Sequence, residues 1–265
     1  MKYLLIITLV AAFICSCNSS ETLKEETPKV ETKETIPTKK HASNSIIMAV
    51  EDAHELADFQ GESNVSFDIE LTFGGSKRLD GTITLSTDSR KGKIINADKS
   101  EIVYSDGKVF TSSPDMNQNS ARFSAYTWPY FFLFPYKLSD EGTIWNSFEN
   151  QSLNGTDYDT QKLTFESGTG DAPDDWYILY ADKQTNLTRC AAYIVTAGGS
   201  SQEEAEEDPH AIEYLDYKLV DGIPISHEWK FWAWRTDEGL TDQLGFAKIS
   251  NVKFVEVGDE FYSFK

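Results

Sequence analysis

The chain has few cysteines and far less positive than negative charge. Its 265 residues include 3 Cys, 24 Lys and Arg, and 43 Asp and Glu, which gives a formal net charge of −19. Binding to nucleic acid and adsorption to an anionic membrane surface both need clustered Lys and Arg, so the composition argues against both. Cys190 is the single thiol beyond the N-terminal segment. This excludes an internal disulfide in the domain and is typical of a small buried hydrophobe.

Motifs of the common enzyme classes are also missing. The sequence has neither a G-x-S-x-G elbow nor a Walker-type phosphate loop, and it has only 4 His. His54 and Glu55 begin an H-E-x-x-H zinc motif, but Asp58 stands where the second His belongs, so we expect a partly exposed helix residue at His54. We therefore expect neither an enzyme nor a cofactor. A carboxylate pair for glycoside hydrolysis stays open, because no sequence rule identifies one among 43 acids.

The N-terminus lacks the roughly 20 consecutive apolar residues that a transmembrane helix needs. A basic start at Lys2 is followed by the apolar stretch Leu4 to Ile14, then by Ser16 and Cys17. This order resembles a bacterial lipoprotein signal, in which an aliphatic residue stands three before a lipid-modified Cys and a small residue precedes it. We expect residues 1–16 to be the signal peptide and Cys17 to carry the lipid. An ordinary cleaved signal peptide is the alternative.

Residues 17–43 are mostly Ser, Thr, Glu, Lys and Pro. Such a segment cannot bury enough apolar surface to order itself, so we expect a flexible tether that leads to one domain at residues 44–265. The predicted location is the cell envelope, with the lipid in the outer membrane. The domain faces either the periplasm or the cell surface, and the sequence does not decide between them. We expect a monomer that contacts the membrane through this lipid.

The domain begins with helical spacing from about Ser45 to Phe59 and changes at Val65 to Phe73 to the alternation of a half-buried strand. Asp106-Gly107 is a strong hairpin signal. Further strand-like runs are Gly81 to Thr87, Lys93 to Ala97, Glu101 to Tyr104, Lys108 to Ser112, Gln161 to Glu166, Trp176 to Ala181, Leu187 to Thr196, Ile212 to Leu219, Ile225 to Trp234 and Phe246 to Val257. The expected fold class is α+β, mainly β: a curved antiparallel sheet or incomplete β-barrel of about 10–11 strands, with an N-terminal helix and a helical or aromatic lid.

Three stretches carry a family resemblance. They are the opening from Ala53-His54 to Phe67-Asp68-Ile69, the hairpin YILYADKQTNLTRCAAYIVT with its turn residues, and Tyr217 to Ile223 before the next strand. Together they resemble the LolA/LolB-like lipoprotein-localisation superfamily. The resemblance implies an incomplete barrel whose apolar concave side is covered by helices and holds acyl chains or other lipids, without catalytic residues.

The most apolar stretch is Thr127 to Leu138, TWPYFFLFPYKL, which contains six aromatic rings. Six rings present about 1,000 Å², more than the roughly 300–600 Å² patch that a soluble monomer exposes, so this segment must be covered. Pro129 and Pro135 predict at most about one helical turn between them, with Phe134 extended. We interpret the segment as a lid on the concave side, with either a core or a ligand-contact role. The candidate ligand contacts are Trp128, Tyr130, Phe131, Phe132 and Phe134.

A second aromatic cluster lies in the predicted strand Ile225 to Trp234. Alternation predicts Trp229 and Phe231 on one face and Trp232 and Trp234 on the other. All four are candidate wall residues for the ligand. Alternatively, Trp232 and Trp234 are exposed and stack on a sugar.

Two acidic segments are weaker candidates. Asp171, Asp174 and Asp175 precede a strand, and Glu203 to Asp208 forms an acidic loop. Turn residues and a solvated loop are the simpler interpretation of both, so we expect no metal site.

Three functions remain open. The leading hypothesis is a lipid-anchored envelope lipoprotein that binds a hydrophobic or amphipathic ligand, such as a lipid or acyl chain. The alternatives are a structural or protein-interaction lipoprotein with a filled core, and a carbohydrate-binding or carbohydrate-active protein. A cavity of about 300 Å³ or more beneath the aromatic segment favours the first, and a filled interior favours the second.

Overall fold

The computed structural model of the chain describes residues 45–263. The predicted signal peptide, the predicted tether and Cys17 lie outside the described residues.

The N-terminal helical segment consists of two helices, α1 (Ser45–Ala53) and α2 (Leu56–Gly61). The prediction of one helix from Ser45 to Phe59 is wrong, because Glu55 takes a left-handed backbone conformation with φ 53°. This break turns His54 into the protein, where it is 0% exposed. The prediction of a partly exposed His54 is therefore also wrong.

Helix α3 (Gln118–Leu133) contains most of the aromatic segment and continues into a 3₁₀ turn at Phe134–Tyr136. The side chain of Asn117 caps the start of α3 by accepting a hydrogen bond from the Ser120 backbone N–H at 2.9 Å. The expected limit of one turn between the prolines is wrong, because α3 runs through Pro129. Phe134 is helical with φ −47°, not extended.

The remaining elements are a short helix, α4 (Gln202–Ala205), and thirteen antiparallel strands in one open sheet. The strands are β1 (Asn64–Phe73), β2 (Ser76–Ser86), β3 (Lys91–Asn96), β4 (Glu101–Ser105), β5 (Lys108–Thr111), β6 (Thr143–Ser147), β7 (Ser152–Leu153), β8 (Thr156–Phe165), β9 (Tyr177–Asp182), β10 (Thr188–Tyr193), β11 (His210–Val220), β12 (Ile223–Arg235) and β13 (Gly239–Val255). The predicted fold class is confirmed. The predicted strand count is low, because β6 and β7 were not predicted: β7 has only two residues, and β6 (TIWNS) has no clear alternation of apolar and polar residues.

The strand order is β5-β4-β3-β2-β1-β13-β12-β11-β10-β9-β8-β6, with β7 paired to β8. The two edges of the sheet, β5 and β6, are therefore consecutive in the chain. The segment that joins them contains α3, so α3 belongs to a connection from one edge of the sheet to the other.

Two Asp-Gly pairs in the sequence form hairpin turns. Asp106 and Gly107 have φ 47° and 79°, and Asp221 and Gly222 have φ 52° and 91°. Two consecutive residues with positive φ form the turn that matches the twist of paired strands, and Asp-Gly suits it. The predicted hairpin at Asp106-Gly107 is confirmed.

The sheet has an apolar cluster on each face. Helices α1 to α3 pack on the inner face, whose buried residues include Ile69, Ile83 and Phe231. The outer face has a smaller cluster that includes Cys190 and Trp234. Cys190 is 0% exposed, as predicted for a buried hydrophobe. No helix among residues 45–263 combines the length and the apolar character needed to cross a membrane.

Candidate ligand-binding face

Three rings of α3 fill the inner face of the sheet. Trp128, Phe131 and Phe132 are 5%, 3% and 5% exposed. Phe132 stacks on Phe67 of β1 with ring centroids 4.1 Å apart and planes within 12°. Trp128 and Phe131 lie 6.1 and 6.0 Å from Phe231 of β12. The aromatic segment is therefore a cover on the inner face.

The other two candidate rings of this segment contact β9. The ring of Tyr130 lies 5.5 Å from Tyr177, and the ring of Phe134 lies 5.3 Å from the same residue. Phe134 is 0% exposed. Trp229, also a candidate, is 1% exposed and belongs to the same inner cluster.

Buried hydrogen bonds hold the C-terminal part of this cover. Pro135 has no N–H, so the carbonyl of Phe131 loses its helical donor. The hydroxyl of Tyr214 in β11 donates to that carbonyl at 2.9 Å. Burial raises the pKa of Tyr214 well above its usual value, so the hydroxyl keeps its proton. Tyr136 likewise donates to the carbonyl of Pro224 at 2.9 Å.

Exposed polar contacts hold the N-terminal part of α3. Arg122 makes two hydrogen bonds to the carboxylate of Asp171 in the β8–β9 loop, one of them from Nε at 3.0 Å. Its Nη1 donates to the carbonyl of Gly107 in the β4–β5 turn at 3.2 Å. The side chains of Arg122 and Asp171 are 43% and 39% exposed. One arginine thus joins α3 to loops at both sides of the open sheet.

Two polar atoms of α3 are buried without a hydrogen-bond partner in the described part of the chain. They are Nε1 of Trp128 and the hydroxyl of Tyr126. Buried polar atoms are rarely left unpaired in proteins. These two donors are therefore available to acceptors that the described chain does not supply.

The space beneath the cover is filled. A cavity bordered by His54, Phe132, Tyr136 and Trp229 has a volume of about 10 Å³. This is room for about one water molecule and far below the volume of a ligand pocket. A ligand role was expected to require a cavity of about 300 Å³ or more beneath the aromatic segment. The much smaller cavity observed favours a filled core.

Trp232 and Trp234 are not brought together with the rings of α3, because they lie on the outer face. Trp234 is 2% exposed, and its Nε1 donates to the hydroxyl of Tyr180 at 3.0 Å. Trp232 is half-buried, and its Nε1 donates to Glu213 at 3.1 Å. Stacking of both tryptophans on a sugar requires two exposed rings, which this packing does not provide.

The acidic segments have structural roles. Asp171 binds Arg122, and Asp175 accepts from the backbone N–H and the hydroxyl of Thr196 at 2.7 and 2.8 Å. Ser201 and Glu204 form a reciprocal cap at the start of α4. Within residues 45–263, no three His, Cys, Asp or Glu side chains are grouped to hold a metal ion.

A polar groove of about 540 Å³ on the outer face was not anticipated from the sequence. It lies where two residues of β13, Asn251 and Val252, stand opposite one residue of β1. Asn251 and Thr82 donate to the two carboxylate oxygens of Asp68 at 2.7 and 2.6 Å and lower its pKa. Both oxygens of this carboxylate are therefore engaged within the sheet.

Several contacts of the inner face were also missed. The rings of Tyr177 and Tyr193 pack on α3, and the hydroxyl of Tyr214 donates to it. Arg122 holds the first half of α3 through Asp171. The strand alternation gave a signal for the tyrosines. Arg122 and Asp171 are 49 residues apart and gave none.

A family model described as a family of unknown function, DUF6503, matches residues 5–238. The chain belongs to this family. No curated protein matches the chain.

Comparison with solved structures gives matches to this DUF6503 chain. A LolA superfamily protein from Nitrosomonas europaea has a TM-score of 0.54 at 10% identity, covering 81% of this chain and 97% of that one. A DUF1329 family protein from Desulfovibrio piger has a TM-score of 0.45 at 12% identity, covering 83% and 98%. An outer membrane lipoprotein-sorting protein domain from Vibrio parahaemolyticus has a TM-score of 0.40 at 12% identity, covering 80% and 97%. The first likeness confirms the predicted LolA-like fold.

Proposed function

We propose that this chain is a non-enzymatic envelope lipoprotein that binds a hydrophobic or amphipathic ligand, such as a lipid or acyl chain, on the inner face of its sheet. Helix α3 is the displaceable cover of that face. The lipid on Cys17 and the tether of residues 17–43 hold the domain at the outer membrane.

The position of α3 carries the proposal. Its rings cover Phe67, Phe231 and Tyr177, which belong to three different strands of the inner face. Removal of the cover leaves an apolar surface larger than the patch that soluble monomers expose. That surface therefore needs an occupant, either α3 itself or a ligand of similar apolar character.

The two ends of the cover differ in how they are held, which supports opening from the first half of α3. The ion pair of Arg122 and Asp171 is exposed, and such pairs contribute only about 0–1 kcal/mol. The bonds of Tyr214 and Tyr136 near the other end are buried. Because α3 lies in an edge-to-edge connection, its movement breaks no strand pairing.

The unpaired donors of α3 support an amphipathic ligand. Nε1 of Trp128 and the hydroxyl of Tyr126 are buried without a partner in the described chain. A lipid with ester or phosphate oxygens brings acceptors to such donors, whereas a pure hydrocarbon does not.

The first experiment is solvent extraction and mass spectrometry of the lipoprotein purified from its native envelope, followed by uptake of a fluorescent fatty acid. Arg122→Ala is expected to accelerate uptake, because it frees the first half of the cover. Arg235→Ala is the matched control, since Arg235 forms an exposed ion pair with Glu238 in the turn between β12 and β13. Absence of both co-purified lipid and uptake, in the parent and in Arg122→Ala, contradicts the proposal.

The filled interior favours a second candidate, a structural or protein-interaction lipoprotein. In that role α3 is permanent core, and Arg122→Ala changes neither lipid content nor fatty-acid uptake. Capture of a specific envelope protein by a lipid-free domain is the positive evidence for it. The carbohydrate hypothesis requires that both Trp232 and Trp234 are exposed, and Trp234 is buried.

A further inference from the structure

His54 is a fully buried polar side chain at the corner between α1 and α2. Its exposed fraction is 0%. The edge of its ring meets Tyr136 of the 3₁₀ turn and Tyr217 of β11, with centroids 5.7 and 5.6 Å away. The residue therefore lies where three separate parts of the chain meet.

The hydrogen bond at one ring nitrogen fixes the tautomer. The backbone N–H of Thr188 donates to Nε2 of His54 at 3.0 Å. A ring nitrogen that accepts an N–H has no proton of its own, so the proton of the neutral ring is on Nδ1. Burial keeps the ring neutral at pH 7, since it lowers the pKa of His54 to about 3.

The proton on Nδ1 needs an acceptor. Nδ1 of His54 is buried and has no hydrogen-bond partner among the described residues. A weak hydrogen-bond interaction with the carbonyl of Pro224 partly opposes the lowering of the pKa of His54, but its geometry is too poor to satisfy the proton on Nδ1. Buried N–H groups are rarely without a partner, so a further acceptor is required.

The cavity of about 10 Å³ is bordered by His54 and by residues of the neighbouring elements. Its lining includes His54, Tyr136, Tyr217 and Pro224. The two hydroxyls donate elsewhere, Tyr136 to the carbonyl of Pro224 and Tyr217 to the carbonyl of Thr188. Each hydroxyl oxygen keeps a lone pair that can accept a hydrogen bond.

We infer that this cavity is a binding site for a single buried water molecule. The water accepts from Nδ1 of His54 and donates to two oxygens among the hydroxyls of Tyr136 and Tyr217 and the carbonyl of Pro224. The volume suits one water, and the site offers the two to four polar partners that a buried water needs. The water joins the α1–α2 corner to the 3₁₀ turn behind α3 and to the β11–β12 hairpin.

The test uses the unmodified protein, so no variant has to fold. Nitrogen-15 NMR of the histidine rings is expected to show His54 protonated at Nδ1, with a cross-relaxation peak between this proton and a long-lived water. His227 is the internal control, because its half-buried ring has Nδ1 at 2.9 Å from the carbonyl of Ile225. A high-resolution crystal structure is expected to show density about 2.7–3.1 Å from Nδ1 of His54. A direct bond from Nδ1 to the Pro224 carbonyl, with neither density nor a water peak, overturns the inference.

Discussion

The hydroxyl of Tyr214 donates to the carbonyl of Phe131, 83 residues earlier in the chain, at 2.9 Å. Pro135 removes the donor that this carbonyl has in a regular helix, and a side chain of β11 replaces it. The end of α3 is thereby attached to the middle of the sheet at the position where the helix itself is weakest.

Tyr214→Phe is expected to lower the free energy of unfolding by about 1–3 kcal/mol, because it leaves a buried carbonyl unpaired. Urea unfolding of the domain measures the change. Tyr126→Phe is the matched control on α3, since the hydroxyl of Tyr126 is buried without a partner in the described chain. We expect that control to be neutral or slightly stabilising, and equal losses in both variants contradict the role given to Tyr214.

Arg122→Ala is expected to change global stability by less than about 1 kcal/mol, because the ion pair with Asp171 is exposed. Local opening of the first half of α3 is expected to increase. Hydrogen exchange of the amides of residues 121–126 measures this opening, and Arg235→Ala is the control. Unchanged exchange in Arg122→Ala shows that this side chain does not hold the cover.

Phe132→Ala is expected to destabilise the domain by about 3–5 kcal/mol, since it removes a 5% exposed ring that stacks on Phe67. Phe123→Ala changes a ring of the same helix that is 38% exposed, and its cost is expected to be well below that. Thermal and urea unfolding compare the two. A small effect of Phe132→Ala is the result expected if α3 is already detached in solution.

The stability of the domain is expected to fall as the pH decreases from about 6.5 towards 3. The folded-state pKa of His54 is about 3, below its usual value of 6.5, because burial disfavours the charged ring. The unfolded chain therefore binds the proton first, and acid favours unfolding. The groups that face the ring are the phenols of Tyr136 and Tyr217. The contribution is at most about 1.4 kcal/mol per pH unit.

His54→Gln checks this pH dependence. Gln does not titrate and keeps an acceptor for the backbone N–H of Thr188. The half-buried His210 also has a lowered pKa and is unchanged in both proteins, so the comparison isolates His54. Urea midpoints measured at several pH values between 7 and 4 are expected to fall less steeply in the variant. Parallel slopes contradict the assignment.

We propose that the thiol of Cys17 carries the lipid, so Cys17→Ser is expected to release the protein from membranes into the soluble fraction. Fractionation of cells that express the full chain measures this. Retention of the variant in the membrane fraction contradicts lipidation at Cys17. Cys190→Ser is the control, because Cys190 is buried in the domain.

Local signals in the sequence predicted much of the sheet. The alternation from Val65 to Phe73 becomes β1 almost residue for residue, and Asp106-Gly107 forms the expected turn. The opposite faces of Phe231 and Trp234 also follow from alternation. These features depend on neighbouring residues, which a sequence displays directly.

The remaining features depend on contacts between distant parts of the chain. The helix through Pro129 persists because its rings pack on the sheet, which outweighs the local cost of a proline. The covering of Trp234 comes from Tyr180 and its neighbours on other strands. The left-handed Glu55 has no signal of its own, since such a conformation favours Gly or Asn over Glu.

The central seam of the sheet joins its first strand to its last, since β1 pairs with β13 along Asn64↔Val255 to Phe73↔Gly245. Without β13, the sheet is divided into two parts, one formed by β1 to β5 and the other by β6 to β12, with no strand pairing between them. Synthesis from the N-terminus therefore delays completion of the sheet until β13 is made. Loss of residues from β13 is expected to harm folding far more than loss of equally many residues from the predicted tether, residues 17–43.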